Sequence, residues 1–516
     1  MSFNNNINIT YAQGNLGTPL PGEDYISGIL FKAATVPTGF SYSIPKLLFS
    51  VTDAVNAGIV GDYSDETRAT SKITVSATGS YGDTVTITVV EPDINSTYTT
   101  TTIGTYTMGS STLADTTLNN AATNIANLIN SKYSTTGYSA GTPTGGSFSM
   151  SAKSGLGTII NSTTPTITNV GGVSVAAAAF SGGVNSIRKE ENYQISEFFR
   201  QNPNGYLWVN YESTLGSFTG IQTLQTAASN KIRQIGVYNS AATTSGNITA
   251  DLDAIQAVCN TLFSAYAPLS VVYSPNLYSY GSDLSSLPNI RTRSDRSVSC
   301  LIGQDGGALG AHLSKYYAKS ITGLGTTLGL LSAANVADDI AWVAKYNVSN
   351  GTELETLALG NNALYNTLFN TSFGILSLLD SYGYMFFMKR ANLSGSWIND
   401  SHCAIAVSSD YAYIERNRAI DKASRLAYAS WAPLVNSKLK LNANGTLPKT
   451  TISTFTNAIG PNMRAMVSNE EISAYSVTID PTQNVLSTST VYIVLNIVPI
   501  GIARTISVKL SFSTGV

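Results

Sequence analysis

The sequence predicts a multidomain chain of mixed α+β / α/β class, and three observations carry that prediction. From about residue 190 to 347, strand patterns alternate with helical ones, which argues for a sheet covered by helices. Residues 64–183 shift to Thr, Ser and Gly with few charges and short alternating strands, the composition of a separate β-rich domain inserted into the chain. From Thr352 onward the order is a hairpin, a helix, a second helix and closing strands. With 516 residues, 43% of them apolar, there is ample material for several cores. The expected organisation is an extended arm at 1–22, a first part of the core at 23–63, and the β-rich insert at 64–183. An α/β domain follows at 184–350, then an α+β domain at 351–500 and a strand arm at 501–516.

Each element has its own signal. Asn6-Ile7-Asn8-Ile9-Thr10 alternates polar and apolar residues, which is strand spacing with no partner nearby in sequence. Tyr25–Phe31 reads as a first buried strand, and Pro45–Gly58 as a turn and a short helix. In the insert, Ile73, Val75 and Ala77 alternate with polar residues, as do Val85, Ile87 and Val89 after the turn Gly79–Gly82, so the two runs predict a hairpin. Leu118, Ala121, Ala122, Ile125, Leu128 and Ile129 follow helical spacing. Strands are expected at Tyr206–Val209, Ile232–Tyr238, Leu269–Tyr273 and Val298–Ile302, with helices near Thr219–Ala228 and Ala250–Ala265. Further helices are expected from Gly303 to Tyr317 and from Asn335 to Tyr346. Tyr384–Lys389 and Gly395–Ile398 look like paired strands. A long helix is expected from Tyr411 to Lys438 and another from Thr450 to Met466. Strands follow at Ile472–Asp480, Val491–Val498 and Ile502–Ser513. In the last of these Ile506, Val508, Leu510 and Phe512 alternate with polar residues.

Charged side chains make up 12% of the chain, against roughly 25% in an average soluble domain, so much of the surface is neutral. A net charge of -2 supplies no basic footprint for nucleic acid. The amino terminus carries no basic residue before an apolar run, so no signal peptide is read there. The most apolar stretch, Val491–Ala503, is too short for a bilayer and is broken by Asn496, Pro499 and Gly501.

Chemistry is scarce. With only His312 and His402, a nucleophile–base pair has two possible bases, and His402 beside Cys403 on a strand would point to the opposite face. Cys259, Cys300 and Cys403 lie far apart and form no CxxC, so neither a disulfide framework nor a zinc site is implied. Gly303–Gly310 follows a strand and precedes a helix, yet lacks the GK[ST] ending of a phosphate loop. It reads instead as a tight turn with Asp305 near the helix cap. Asp338–Asp339 reads as a solvated helix face. No enzyme, metal or cofactor is expected. Arg418, Lys422 and Arg425 share one helix face and form the one compact basic stripe of a charge-poor chain. The strand arms at the two ends favour β-augmentation between subunits, in which main-chain hydrogen bonds supply affinity.

The hairpin ending in Gly395–Ile398, the helix holding Arg416–Tyr428, the helix from Thr450 followed by Val477–Pro481, and closing strands that include Ile497–Ile500 together resemble the tail sheath proteins of contractile bacteriophages and of related contractile injection systems. The likeness is one of arrangement. It runs from Asn185 to Val516 and is clearest in the last third. The Ser/Thr-rich segment resembles the outward-facing insertions of phage tail proteins. The resemblance implies a tail-sheath-like core with extended terminal arms. It also implies a helical homo-oligomer of stacked, six-fold rings around an inner tail tube protein. Baseplate and tail terminator or cap proteins would be further partners, with no direct nucleic acid and no stable membrane insertion. Assembly in the bacterial cytoplasm into a virion tail or injection particle follows, with contraction driven by improving interfaces and without a cofactor. On this analogy Asn6–Thr10 and Ile506–Phe512 join neighbours' sheets, and Arg418, Lys422 and Arg425 face the tube. The alternative is a non-contractile structural or adhesive surface or tail protein that binds through the Ser/Thr-rich segment. A hydrolase in the α/β region is disfavoured by the two-histidine inventory.

Overall fold

The computed structural model describes residues 23–92, 98–111, 114–281, 283–510 and 512. Its frame is a seven-stranded sheet in the order Tyr384–Met385, Val298–Leu301, Ser270–Asn276, Gln234–Ala242, Ile26–Lys32, Tyr206–Glu212, Lys46–Leu48. Every neighbouring pair is parallel except the last. The strands carry near-continuous apolar runs because a parallel sheet with helices on both faces hides both sides of each strand. Ser270–Asn276 is buried at all seven positions.

Two glycines show which helices cover which face. A side chain at Gly28 would meet Leu224 of the helix Gly220–Ala227. One at Gly236, paired with Ile29 and therefore pointing to the other face, would meet Leu324 and Leu328 of the helix Leu324–Ala333. The latter helix is crossed by Arg188–Gln201, whose backbone comes so close that a Cβ at Gly325 would fall on the Gln194 carbonyl. Sequence reading anticipated neither helix of this pair. Most charges of RKEENYQISEFFRQ are buried, and they pair both within the helix and with residues outside it. Arg188 donates to both Glu191 oxygens at 2.8 and 2.7 Å, and Thr326 Oγ1 donates to Glu197 Oε2 at 2.7 Å.

Within the β-rich segment, a four-stranded antiparallel sheet has the order Ser139–Ala140, Ser147–Ser151, Thr70–Thr78, Val173–Ala177. A three-stranded one has the order Tyr98–Thr107, Thr84–Pro92, Thr166–Val170. The helix Leu118–Ser131 touches both. Its start is set by Thr117, whose side chain accepts from Asn120 N at 3.1 Å, and it buries Ala121, Ala122, Ile125, Ala126 and Ile129. The expected hairpin is therefore not one, because Thr70–Thr78 and Thr84–Pro92 lie in different sheets. The turn between them is a crossing, and Asp83 ties it to the strand turn opposite by accepting from Ser80 N and Gly172 N at 2.7 and 2.8 Å.

The last third adds the helices Ile414–Trp431 and Lys449–Ser468 and the hairpin Ala474–Thr478/Val494–Val498. Their own small core holds Val336, Ala419, Ala423, Ile459, Met463, Met466 and Ile472. The strands at 384–388 divide their roles: Tyr384–Met385 extends the large sheet, and Phe387–Met388 pairs with Trp397–Ile398. Residues 335–346 form turns rather than a helix. Asp339 Oδ1 accepts from Ala341 N at 2.9 Å and Asp338 Oδ2 takes the Tyr346 hydroxyl, local bonds that compete with helical ones. Among the described residues no helix is long and apolar enough to cross a membrane. The arm expected at Asn6–Thr10 lies outside the described residues.

Candidate functional site

The basic stripe lies on one face of the helix Ile414–Trp431, but that face turns inward. Arg418 is buried and donates to the carbonyls of Asn335 and Ala334 at 3.3 and 3.2 Å, satisfying groups left open where the helix Leu324–Ala333 ends. Lys422 Nζ reaches Glu471 Oε1 at 2.6 Å and Asp24 Oδ2 at 3.1 Å, and Arg425 donates to the Pro268 carbonyl at 3.3 Å. Burial, together with the charge of Arg233, brings the Arg425 guanidinium down to about 10. Asp24 is held below the usual carboxylate range: its burial acts the other way, but the charges of Lys422, Arg418 and Arg425 outweigh it. Of the residues expected to face a tube, Arg418 is thus buried and Lys422 and Arg425 are half-buried in the isolated chain. Helical spacing shows that residues share a face, and only packing shows where the face points. The same network lines a cavity of about 660 Å³ between Glu23, Tyr206, Trp208, Arg233 and Lys422.

The other polar motifs are structural. Asp305 Oδ2 accepts from Ala308 N and Ala311 N at 2.6 and 3.1 Å, which makes it the cap of the helix Leu309–Tyr317, as the Gly303–Gly310 turn implied. His402 is buried between Arg291 and Asp380, with Nε2 3.0 Å from Asp380 Oδ1. Cys403 points elsewhere, toward Ser299 and Asn417, and burial pushes its thiol up to about 12. A thiol so protonated at neutral pH is no nucleophile.

Asp338–Asp339 is not a solvated face. Asp339 is 5% exposed and meets Asp400, Glu415 and, across from all three, Arg504. The Arg504 Nε contacts both Asp400 oxygens at 3.0 Å, and Nη2 reaches Glu415 Oε1 at 2.7 Å and Asp339 Oδ2 at 3.1 Å. The guanidinium lies 3.5 Å from the centre of the Tyr413 ring. Burial, then the charges of Glu415 and Asp400, raise the Asp339 carboxyl to about 7. Sequence reading missed Arg504, although a signal was present. It is the one charged residue between Asp480 and Lys509.

Beyond this anchor the chain leaves the body. Residues 501–510 form no strand, and Ile506, Val508 and Leu510 are 80%, 72% and 90% exposed. The expected alternation of Ile506, Val508, Leu510 and Phe512 is therefore present as pattern but has no sheet partner among the described residues. Among the described residues the hairpin Ala474–Thr478/Val494–Val498 is likewise a sheet of two strands, with no strand paired to either outer edge.

The model of the DUF2586 N-terminal domain matches residues 5–402, and that of the DUF2586 C-terminal domain matches residues 410–515. The chain belongs to the DUF2586 family. Asp339 and Asp400 fall in the first DUF2586 domain and Glu415 and Arg504 in the second, so the anchor ties the two together. No curated protein matches the chain by sequence. Among solved structures it is similar to a chain of the anti-feeding prophage (AFP) baseplate, with 12% identity over 65% of this chain and 85% of that one, TM-score 0.42. A chain of the same baseplate in its contracted state gives 9% identity, 63% and 85% coverage and 0.44. A chain from the PVC sheath complex of an extracellular contractile injection system, in its contracted state, gives 12% identity, 63% and 81% coverage and 0.40.

Proposed function

We propose that this DUF2586 chain is a structural subunit of a contractile tail sheath, polymerising helically around an inner tube. The observation that carries the reading is the exposed, alternating arm Ile506–Leu510 together with the two-stranded hairpin Ala474–Thr478/Val494–Val498, whose edges pair with no strand among the described residues. A row of apolar side chains at this exposure is unfavourable in water, and an open edge offers unpaired N–H and C=O groups. Placing the arm of one copy on the hairpin edge of the next satisfies both. Such a contact joins different surfaces of the two copies, so it repeats without closing and builds open helical assemblies. The arm at Asn6–Thr10 would make a second link of the same kind. Links of this kind let rigid bodies turn while the mesh stays connected, so contraction draws on improving interfaces. Inner tube, baseplate and terminator proteins are the corresponding partners.

Negative-stain electron microscopy of the full chain, with and without its tube partner, tests this. Hollow striated cylinders are expected. Dispersed monomers at high concentration even with the tube present would overturn the reading, and binding of isolated copies to cell surfaces would favour an adhesive role instead.

A further inference from the structure

The Arg504 site is built independently of the arginine it holds. Asp339 comes from the turns after the helix Leu324–Ala333, Asp400 from the loop after Trp397–Ile398, and Glu415 from the first turn of the helix Ile414–Trp431. Each carboxylate is oriented by other donors: Asp339 by Ala341 N at 2.9 Å, Asp400 by Ser401 N at 2.8 Å, and Glu415 by the Ser401 hydroxyl at 2.6 Å. Ser401 Oγ also lies 3.4 Å from Arg504 Nη2, and the Tyr413 ring forms the floor. Arg291 and Arg416 approach the same ring more distantly, at 5.5 and 5.2 Å.

Two buried carboxylates, Asp339 and Glu415, and the half-buried Asp400 around one space repel one another unless a cation sits between them. A planar guanidinium fits here because its Nε and Nη2 protons spread over three acceptors while its face stacks on an aromatic ring. An ammonium is a point donor with no such plane.

We propose that Asp339, Asp400, Glu415 and Tyr413 form a guanidinium receptor whose tethered ligand is Arg504, and that occupancy fixes the root from which residues 505–512 are offered to a second copy of this chain. The second half rests on the sheath reading. The receptor itself does not. One residue, Thr505, separates the anchored Arg504 from the exposed apolar Ile506, so the anchor sets where the arm leaves the body.

The test uses the full-length Arg504→Ala and Arg504→Lys variants, with ethylguanidinium as the probe and ethylammonium at equal ionic strength as the control. Arg504→Ala should melt about 5 °C or more below the wild type, because a buried ion pair loses one partner. Millimolar ethylguanidinium should restore most of that shift, leave the wild type unchanged and outperform ethylammonium. It should not restore polymers, since the arm root stays unattached. Arg504→Lys should melt between the two proteins, which keeps the proposal testable where the alanine variant fails to fold. Wild-type melting of either variant, or equal rescue by ethylammonium, would overturn the receptor. Melting and rescue as expected, with a wild type that forms no polymers, would sink the sheath reading and leave the receptor standing.

Discussion

The large sheet and the carboxy-terminal hairpin are both β-structure, yet they treat their side chains in opposite ways. Ser270–Asn276 is buried at every position, whereas Ala474–Thr478 and Val494–Val498 alternate exposed and half-buried residues. The sheet has helices on both faces, and the hairpin has the two long helices of the last third on one side only. The first region is therefore core, whereas the second is the surface on which the proposed association between copies would rest. A strand needs two covered faces to become core and one free edge to become an interface.

This contrast is most directly broken at the arm. Deleting residues 505–516 should abolish ordered polymers in electron micrographs while leaving the melting temperature within about 1 °C, because the described arm residues past Thr505 are exposed. A large loss of stability would mean that the arm belongs to the fold. Next in size, Gly325→Val should cost about 3 kcal/mol or more in denaturant unfolding, since its side chain has no room beneath the Gln194 carbonyl. Leu30→Ala in the centre of the sheet should cost roughly 2–5 kcal/mol. The matching truncation Val498→Ala on the hairpin, where the residue is 53% exposed, should stay within about 0.5 kcal/mol. Comparable losses at Leu30 and Val498 would erase the distinction between the regions.

The smallest expected effect is a pH slope. Asp339 has its carboxyl raised from 3.8 to about 7 in the folded chain, so folded protein binds the proton more tightly than unfolded protein. Its contribution to stability is full below pH 3.8 and is lost as pH rises through about 7. Asp400, Glu415 and Arg504 are the charged groups that face it. Asp339→Asn should flatten part of the slope in urea midpoints across this window, while Glu191, raised to about 7, and Asp421, raised to about 6, both chiefly by burial, keep contributing. An unchanged slope would show that Asp339 stays ionised beside Arg504.

Much of the scaffold could be read directly. The apolar runs at Tyr25–Phe31 and Leu269–Tyr273 became central strands, and the apolar face Leu118–Ile129 became a helix. Local periodicity reports these because it depends only on neighbouring residues. Pairing was less accessible: Ile73–Ala77 and Val85–Val89 have hairpin patterns but belong to separate sheets, since partner choice depends on residues up to a hundred positions away. Least accessible were Arg188–Gln201, whose Glu190 and Glu197 meet Lys319 and Thr326, and the Arg504 anchor, because these partners are distant in sequence.

The sequence by itself determined many of the strands and helices, though not the helices Arg188–Gln201 and Leu324–Ala333, and placed an apolar alternation near residue 510. Tertiary structure alone decided the directions. It turned the Arg418–Arg425 face inward, gathered Asp339, Asp400 and Glu415 around Arg504, and left Ile506, Val508 and Leu510 in solvent. The physical reason is that period and propensity are properties of a few adjacent residues. Burial of a charge is settled only when segments tens to hundreds of residues apart supply its counter-charge.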